Sequence, residues 1–230
     1  MWRMYEGDHG RIPPFKQCQM PEATDRNKAT TMNYLAHLHL GGQAPAQLLG
    51  SLYGDFVKGL LLPGRFPPDI EGAIRLHRRI DAFTDSHPLI KRALGRFPDG
   101  RRRYAGIALD VFFDHCLARD WDRYSTEPLD LFTRKVYRVL ADEPALPERL
   151  ALIAPRMAAQ DWLGSYREFS VVGDALAGIS RRLSRPEGLA GVNQELQALY
   201  RPLSDDFSAF YPQVQAFAQA ALASERTAAG

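Results

Sequence analysis

From residue 32 onward the apolar residues recur at three- and four-residue spacing, and the pattern breaks where prolines fall. The breaks are at Pro63, Pro67-Pro68, Pro98-Asp99-Gly100, Pro144, Pro186 and Pro202. Proline has no amide hydrogen to donate and its ring clashes with the preceding turn, so it ends helices or opens them. Read this way, the chain carries helices near 45–60, 68–84, 86–97, 101–120, 128–141, 146–159, 161–182, 188–200 and 204–224. Strand signals are scarce. Only residues 34–40 alternate, and their Ala/Leu/His mixture suits either a strand or a short helix. Connections are short and no fixed-period repeat is present. The expectation is an all-α protein, one compact multi-helix domain over residues 32–224 with roughly seven to nine helices and a short tail at 225–230. Of the 230 residues, 45% are hydrophobic, enough for one large core. Residues 1–31, with Gly7, Gly10, Pro13, Pro14 and Pro21 and no sustained period, read as a flexible N-terminal extension.

The net charge is +2, but its distribution is uneven. Between Arg75 and Arg103 nine Arg or Lys face three Asp, a local +6 that leaves about −4 for the remainder. Such a region suits an anionic substrate or an acidic partner. It lacks interleaved aromatics, which argues against single-stranded nucleic acid. No apolar run approaches the ~20 residues of a membrane span, and no signal-peptide core is present, so a cytoplasmic protein is expected. The two cysteines, Cys18 and Cys116, form no CxxC pair, which disfavours a thiolate zinc site.

Two helical segments carry the chemistry. In Leu76-His77-Arg78-Arg79-Ile80-Asp81-Ala82-Phe83-Thr84-Asp85, His77 and Asp81 lie one turn apart on a single stripe, with Asp85 continuing it. In Leu109-Asp110-Val111-Phe112-Phe113-Asp114-His115, two carboxylates four residues apart sit among large apolar side chains. Buried carboxylates repel unless a cation lies between them. Oxygen and imidazole donors without thiolate suit Mn²⁺, Fe²⁺, Mg²⁺ or Zn²⁺. His77, Asp81, Asp110 and Asp114 are therefore the candidate metal ligands. Asp55, in Gly50-Ser51-Leu52-Tyr53-Gly54-Asp55, follows small residues that permit close helix approach, and so could reach the same centre. Arg78 and Arg79 are candidate anion binders, and His115 a candidate acid/base. His37 and His39 are individually better read as structural, although one of them could be a ligand. Asp81 and Asp110 also have bland readings, as partners of nearby arginines. No Walker loop, GxGxxG, HExxH or GxSxG is present.

Taken in order, residues 32–40 (Met-Asn-Tyr-Leu-Ala-His-Leu-His-Leu), Gly54-Asp55-Phe56-Val57-Lys58-Gly59, the two segments above with Trp121, Asp161-Trp162-Leu163, Tyr166-Arg167 and Phe210-Tyr211-Pro212 resemble the bacterial acyl carrier protein phosphodiesterases. The resemblance runs from Met32 to about Leu222. It implies hydrolysis of the phosphodiester joining 4′-phosphopantetheine to a serine of acyl carrier protein, within fatty acid metabolism. It also implies a distant likeness to the HD-type helical phosphohydrolases, which commonly use Mn²⁺, with Mg²⁺ or Fe²⁺ as alternatives. The chain has Asp114-His115 where that superfamily has His-Asp. The resemblance makes Mn²⁺ the expected ion and acyl carrier protein, an acidic protein, the expected partner through the Arg75–Arg103 region. Arg78 or Arg79 would then stabilise the phosphoryl oxygens, and His115 would protonate the leaving serine oxygen. Two other readings remain: a related hydrolase of small phosphate esters or nucleotides, and a helical module that binds an acidic partner without turnover.

Overall fold

A computed structural model describes residues 34–229 apart from 182 and 184. The extension expected over residues 1–31 lies outside the described residues. Those described form eleven α-helices and three short 3₁₀ turns, with no strand among them. The helices are α1 (Tyr34–Leu40), α2 (Pro45–Phe56), α3 (Pro68–Ser86), α4 (Pro88–Leu94), α5 (Arg102–Arg119), α6 (Leu129–Asp142), α7 (Glu148–Ala159), α8 (Trp162–Ser165), α9 (Phe169–Ser180), α10 (Val192–Ala198) and α11 (Tyr200–Ala229). The ambiguous 34–40 segment is a helix. None of the described helices is long and apolar enough to cross a membrane.

Prolines shape the first half of the chain. Pro45, Pro68 and Pro88 open α2, α3 and α4 in the first turn, where a missing N–H costs nothing. Later prolines behave differently from the sequence expectation. Pro202 does not separate two helices: it lies in the first turn of α11, which runs on through Pro212 to Ala229, beyond the expected end at 224. The expected helix over 161–182 is two helices, because Asp161 takes a left-handed backbone (φ 42°) and its carboxylate accepts from the Gly164 amide, closing α8 into a single turn. Tyr137 fixes this corner: its hydroxyl accepts from the Leu163 amide and donates to Asp161. The segment expected as a helix over 188–200 begins only at Val192, after a 3₁₀ turn and Gly191 at positive φ.

The tightest pairing is α2 against α3. A methyl group at Gly50 would lie 2.4 Å from Ala73 Cβ and 2.7 Å from the Ile70 carbonyl oxygen. Gly54, one turn on, faces His77 in the same way. Two glycines on one face thus bring the helix axes close enough for α2 backbone to touch α3 side chains. Helix α1 lies across α2, α5 and α11, and its Leu35 and Leu38 are fully buried beside Ile74, Leu76, Val111 and Phe112. Helix α11 is tied to the α4 region by buried Asp206, which accepts from Arg92 (2.9 Å) and Arg96 (2.6 Å). Cys116 is buried, as expected of a small core residue, and burial pushes its thiol up to about 12.

Candidate metal centre

Three side chains converge where α1 crosses α3. His37 Nε2 lies 3.0 Å from Asp81 Oδ1, and His77 Nε2 lies 3.3 Å from Asp81 Oδ2. The two imidazoles stack at 3.7 Å between centroids. Both histidines are buried, while Asp81 is 38% exposed and forms the solvent side of the cluster. Among the described residues this is the one group of three or more such side chains whose donor atoms gather within 4.8 Å, a set that could hold a metal ion.

The electrostatics define the state of each group. His77 Nδ1 sits 2.8 Å from the Ser51 carbonyl, which can only accept, so this nitrogen carries a hydrogen and donates it. In neutral His77, Nε2 therefore presents a lone pair to an anionic oxygen. Two acceptors facing one another at 3.3 Å need a cation between them, either a proton or a metal ion. Burial disfavours charge on His77, yet Asp81, Asp55 and the Ser51 carbonyl together outweigh it and raise its pKa. Burial, reinforced by neighbouring His77, pushes His37 down to about 4. His37 is thus a neutral imidazole near pH 7, and neither ring nitrogen has an aligned hydrogen-bond partner. Burial opposes ionisation of Asp81, but the two histidines more than compensate and hold its carboxyl well below the usual range. A neutral imidazole, an ionised carboxylate, and a second imidazole oriented through its far nitrogen by a backbone carbonyl together suit a divalent ion.

Two further carboxyl groups border the cluster. Asp55, at the end of α2, is buried with Oδ2 unpartnered, and burial pushes it up to about 7 against the pull of His77. Asp110 on α5 is buried with Oδ2 also unpartnered. Burial raises its pKa far above normal, and nearby Asp114 raises it further. Asp110 and His37 line one cavity with Ile80, Thr84, Leu109 and Tyr211.

The remaining sequence candidates lie outside the three-residue donor set. Asp114 uses both oxygens on the first turn of α1, accepting from the Leu35 amide (3.0 Å) and the Ala36 amide (2.9 Å). His115 faces another neighbourhood. Its Nδ1 donates to the Tyr166 carbonyl and its Nε2 accepts from the Tyr200 hydroxyl, each at 2.8 Å, while that hydroxyl accepts from Arg119. Arg78 donates to the Val57 carbonyl at 2.9 Å, and the Arg79 guanidinium lies over the Phe217 ring. Asp85 is exposed one turn beyond Asp81. His37, left with a structural reading by sequence alone, is a full member of the cluster. His39, two residues on, points away, with Nδ1 2.7 Å from the Tyr211 hydroxyl.

The site depends on Gly54. A methyl group there would lie 2.2 to 2.6 Å from Cγ, Cδ2 and Nδ1 of His77. Gly54→Ala is expected to displace the imidazole and lower turnover by about a hundredfold, the order that an ångström-scale misplacement of a reacting group costs. Gly106→Ala is the control, since nothing lies within 4 Å of the added methyl, and it should leave turnover unchanged. Steady-state rates of the two variants beside wild type check this.

Fold and site together define a helical domain, over the described residues, in which two buried imidazoles and a part-exposed carboxylate could hold a metal ion. The family model for acyl carrier protein phosphodiesterase matches residues 32–214. The chain belongs to that family. Among its curated relatives, an acyl carrier protein phosphodiesterase of Yersinia enterocolitica is 38% identical over 190 residues, covering 82% of this chain and 98% of its own length. One from Yersinia pestis is 39% identical over 191 residues, with 82% and 98% covered. One from Escherichia coli O6:H1 is 37% identical over 188 residues, with 80% and 95% covered. No solved structure matches.

Proposed function

We propose that this chain hydrolyses the phosphodiester linking 4′-phosphopantetheine to a serine of acyl carrier protein, converting the holo carrier to the apo form. The family supports the substrate. The observation that carries the chemistry is the Asp81 carboxylate set between two buried imidazoles, with Oδ2 3.3 Å from His77 Nε2 and Oδ1 3.0 Å from His37 Nε2. His37, His77 and Asp81 would hold one divalent ion, with Asp110 as a further oxygen donor from the cavity side. Mn²⁺ suits this imidazole–carboxylate set, with Mg²⁺ and Fe²⁺ as alternatives. When bound, the ion supplies Lewis-acid charge for the phosphoryl oxygens and acidifies water.

The chain's own residues do the rest. The Ser51 carbonyl locks the His77 ring so that Nε2 faces the centre. Asp55 Oδ2 is buried beside the cluster without a partner, and burial pushes its carboxyl up to about 7, so it can both hold and release a proton near neutral pH. It is therefore assigned the delivery of a proton to the leaving serine oxygen. His115, with both ring nitrogens engaged, is assigned to positioning α5 against Tyr166 and Tyr200. Arg78, adjacent to His77, uses one of its five N–H donors on Val57 and keeps the others for the phosphoryl oxygens. Arg79 contributes positive field from the same helix. The exposed cations of the Arg75–Arg103 stretch, Arg75 and Lys91 among them, favour approach of an acidic carrier. Such a reaction belongs in the cytoplasm, where carrier proteins are loaded and used.

Incubating holo carrier protein with the purified chain and Mn²⁺ tests this reading by mass spectrometry. The carrier should lose the mass of phosphopantetheine, and chelator should abolish the loss. A carrier left intact with every divalent ion tried would overturn the reading.

A further inference from the structure

The bond cleaved in this reaction leaves the carrier protein through a single serine side chain. Its phosphorus therefore lies close to the carrier's own surface, unlike the far end of the flexible arm. To bring that phosphorus to the His37–His77–Asp81 cluster, the carrier must seat its surface directly at the mouth of the site. The residues at that mouth thus form an interface.

The loop joining α2 to α3, residues 57–67, begins two residues after Asp55, and its first carbonyl is held by Arg78, the neighbour of His77. It presents Leu60 at 80% and Leu62 at 60% exposure, two of the four large apolar side chains most exposed among the described residues. The other two, Leu131 and Leu152, lie on α6 and α7, which supply nothing to the cluster. This exposure is built in. Gly59 and Gly64 take positive φ (74° and 80°), a conformation costly for other residues, and bracket the leucines with two bends. Leu61 packs on the core while its neighbours on either side face out. Phe66 packs against Tyr53 and its amide donates to Glu71, anchoring the far end. Between Phe56 and Pro68 the chain carries Lys58 and Arg65 and no acidic residue. Much of the cationic stretch after Arg75 is engaged within the fold, with Arg92 and Arg96 on Asp206 and Arg101 on Glu195.

We infer that this loop is the docking ledge for the acidic carrier protein, with Leu60 and Leu62 as its apolar contacts and Arg65 as its cationic one. The inference rests on the proposed reaction for the identity of the partner. Its test reads binding apart from chemistry. Fluorescently labelled apo carrier protein, which lacks the diester, is titrated with wild type, a Leu60→Ser/Leu62→Ser variant and Arg65→Glu, with binding followed by anisotropy. Each variant should weaken binding by about tenfold, as expected for loss of an interface anchor. Arg65→Glu should also flatten the salt dependence. With holo carrier, KM should rise while kcat holds, and turnover of methyl 4-nitrophenyl phosphate should not change. Unchanged binding in both variants would overturn the inference. So would a fall in small-diester turnover parallel to carrier turnover, which would make the loop part of the reaction site. If wild type binds the carrier and the loop variants weaken it, yet holo carrier is never cleaved, the docking surface stands and the proposed reaction fails. If wild type neither binds nor cleaves, both fall.

Discussion

Asp81→Asn will abolish metal binding and lower turnover of holo carrier protein by at least about a thousandfold, while the protein stays folded. Asparagine keeps the shape of the side chain and one acceptor oxygen, so the change removes charge and little else. That charge offsets the burial of two stacked imidazoles, and it is the anionic member of the only three-residue donor set gathered within 4.8 Å among the described residues. Removing an anionic donor to a divalent ion should cost more than the 10- to 100-fold typical of groups that merely orient a ligand. Asp81 is itself 38% exposed, and asparagine keeps a polar group against both buried imidazoles, so the unfolding midpoint should fall only modestly. Elemental analysis of both proteins after loading with Mn²⁺, together with rates on holo carrier, checks the claim. Asp85→Asn is the matched control one turn along α3. Exposed and outside the donor set, it should alter the rate by no more than about twofold. An Asp81→Asn protein that kept its metal and its rate would remove the His37–His77–Asp81 cluster from the chemistry altogether.

What was legible in the sequence follows from which contacts are local. His77 and Asp81 belong to one helix, and four-residue spacing alone brings them together. Small residues at 50 and 54 announced the close approach of α2 that lets the Ser51 carbonyl reach His77. Prolines that open helices were also visible, because their effect is confined to one turn. The place of His37 in the cluster was not legible from its spacing. Its partners lie 40 and 44 residues away, and its own helix has only seven residues, too few to display a periodic face. Asp110 and Asp114 show the same limit differently. Spacing placed both on one side of α5, but it carries no information about what that side meets. Asp110 meets a cavity shared with His37, while Asp114 meets the start of another helix. The division between α8 and α9 is likewise a tertiary effect, fixed by Tyr137 and by His115 reaching the Tyr166 carbonyl across 51 residues.

Asp114→Ala is expected to be the most destabilising single change near the site, by about 2–4 kcal/mol, and to lower activity as well. Leu35 and Ala36 lie in the first turn of α1, where amides have no partner within the helix. Asp114, from α5, supplies both missing acceptors in a setting with no solvent access. Burial pushes its carboxyl up to about 8, against the pull of the two amide donors. Truncation to alanine leaves two amides unmet in the core, at about 1–3 kcal/mol each, and also leaves a small cavity. Relief of the buried carboxyl offsets part of that cost, which sets the net range. Asparagine keeps one acceptor and should lose roughly half as much. Loosening α1 loosens His37, the residue next to Ala36, so the rate should fall with the stability although Asp114 itself lies outside the donor set. Denaturant unfolding gives the energy, and amide hydrogen exchange at Leu35 and Ala36 localises it. Faster exchange confined to α1 in Asp114→Ala is the expected pattern. Wild-type stability with normal exchange there would instead leave Asp114 free to serve as a ligand, and the donor set would have to be redrawn around α5.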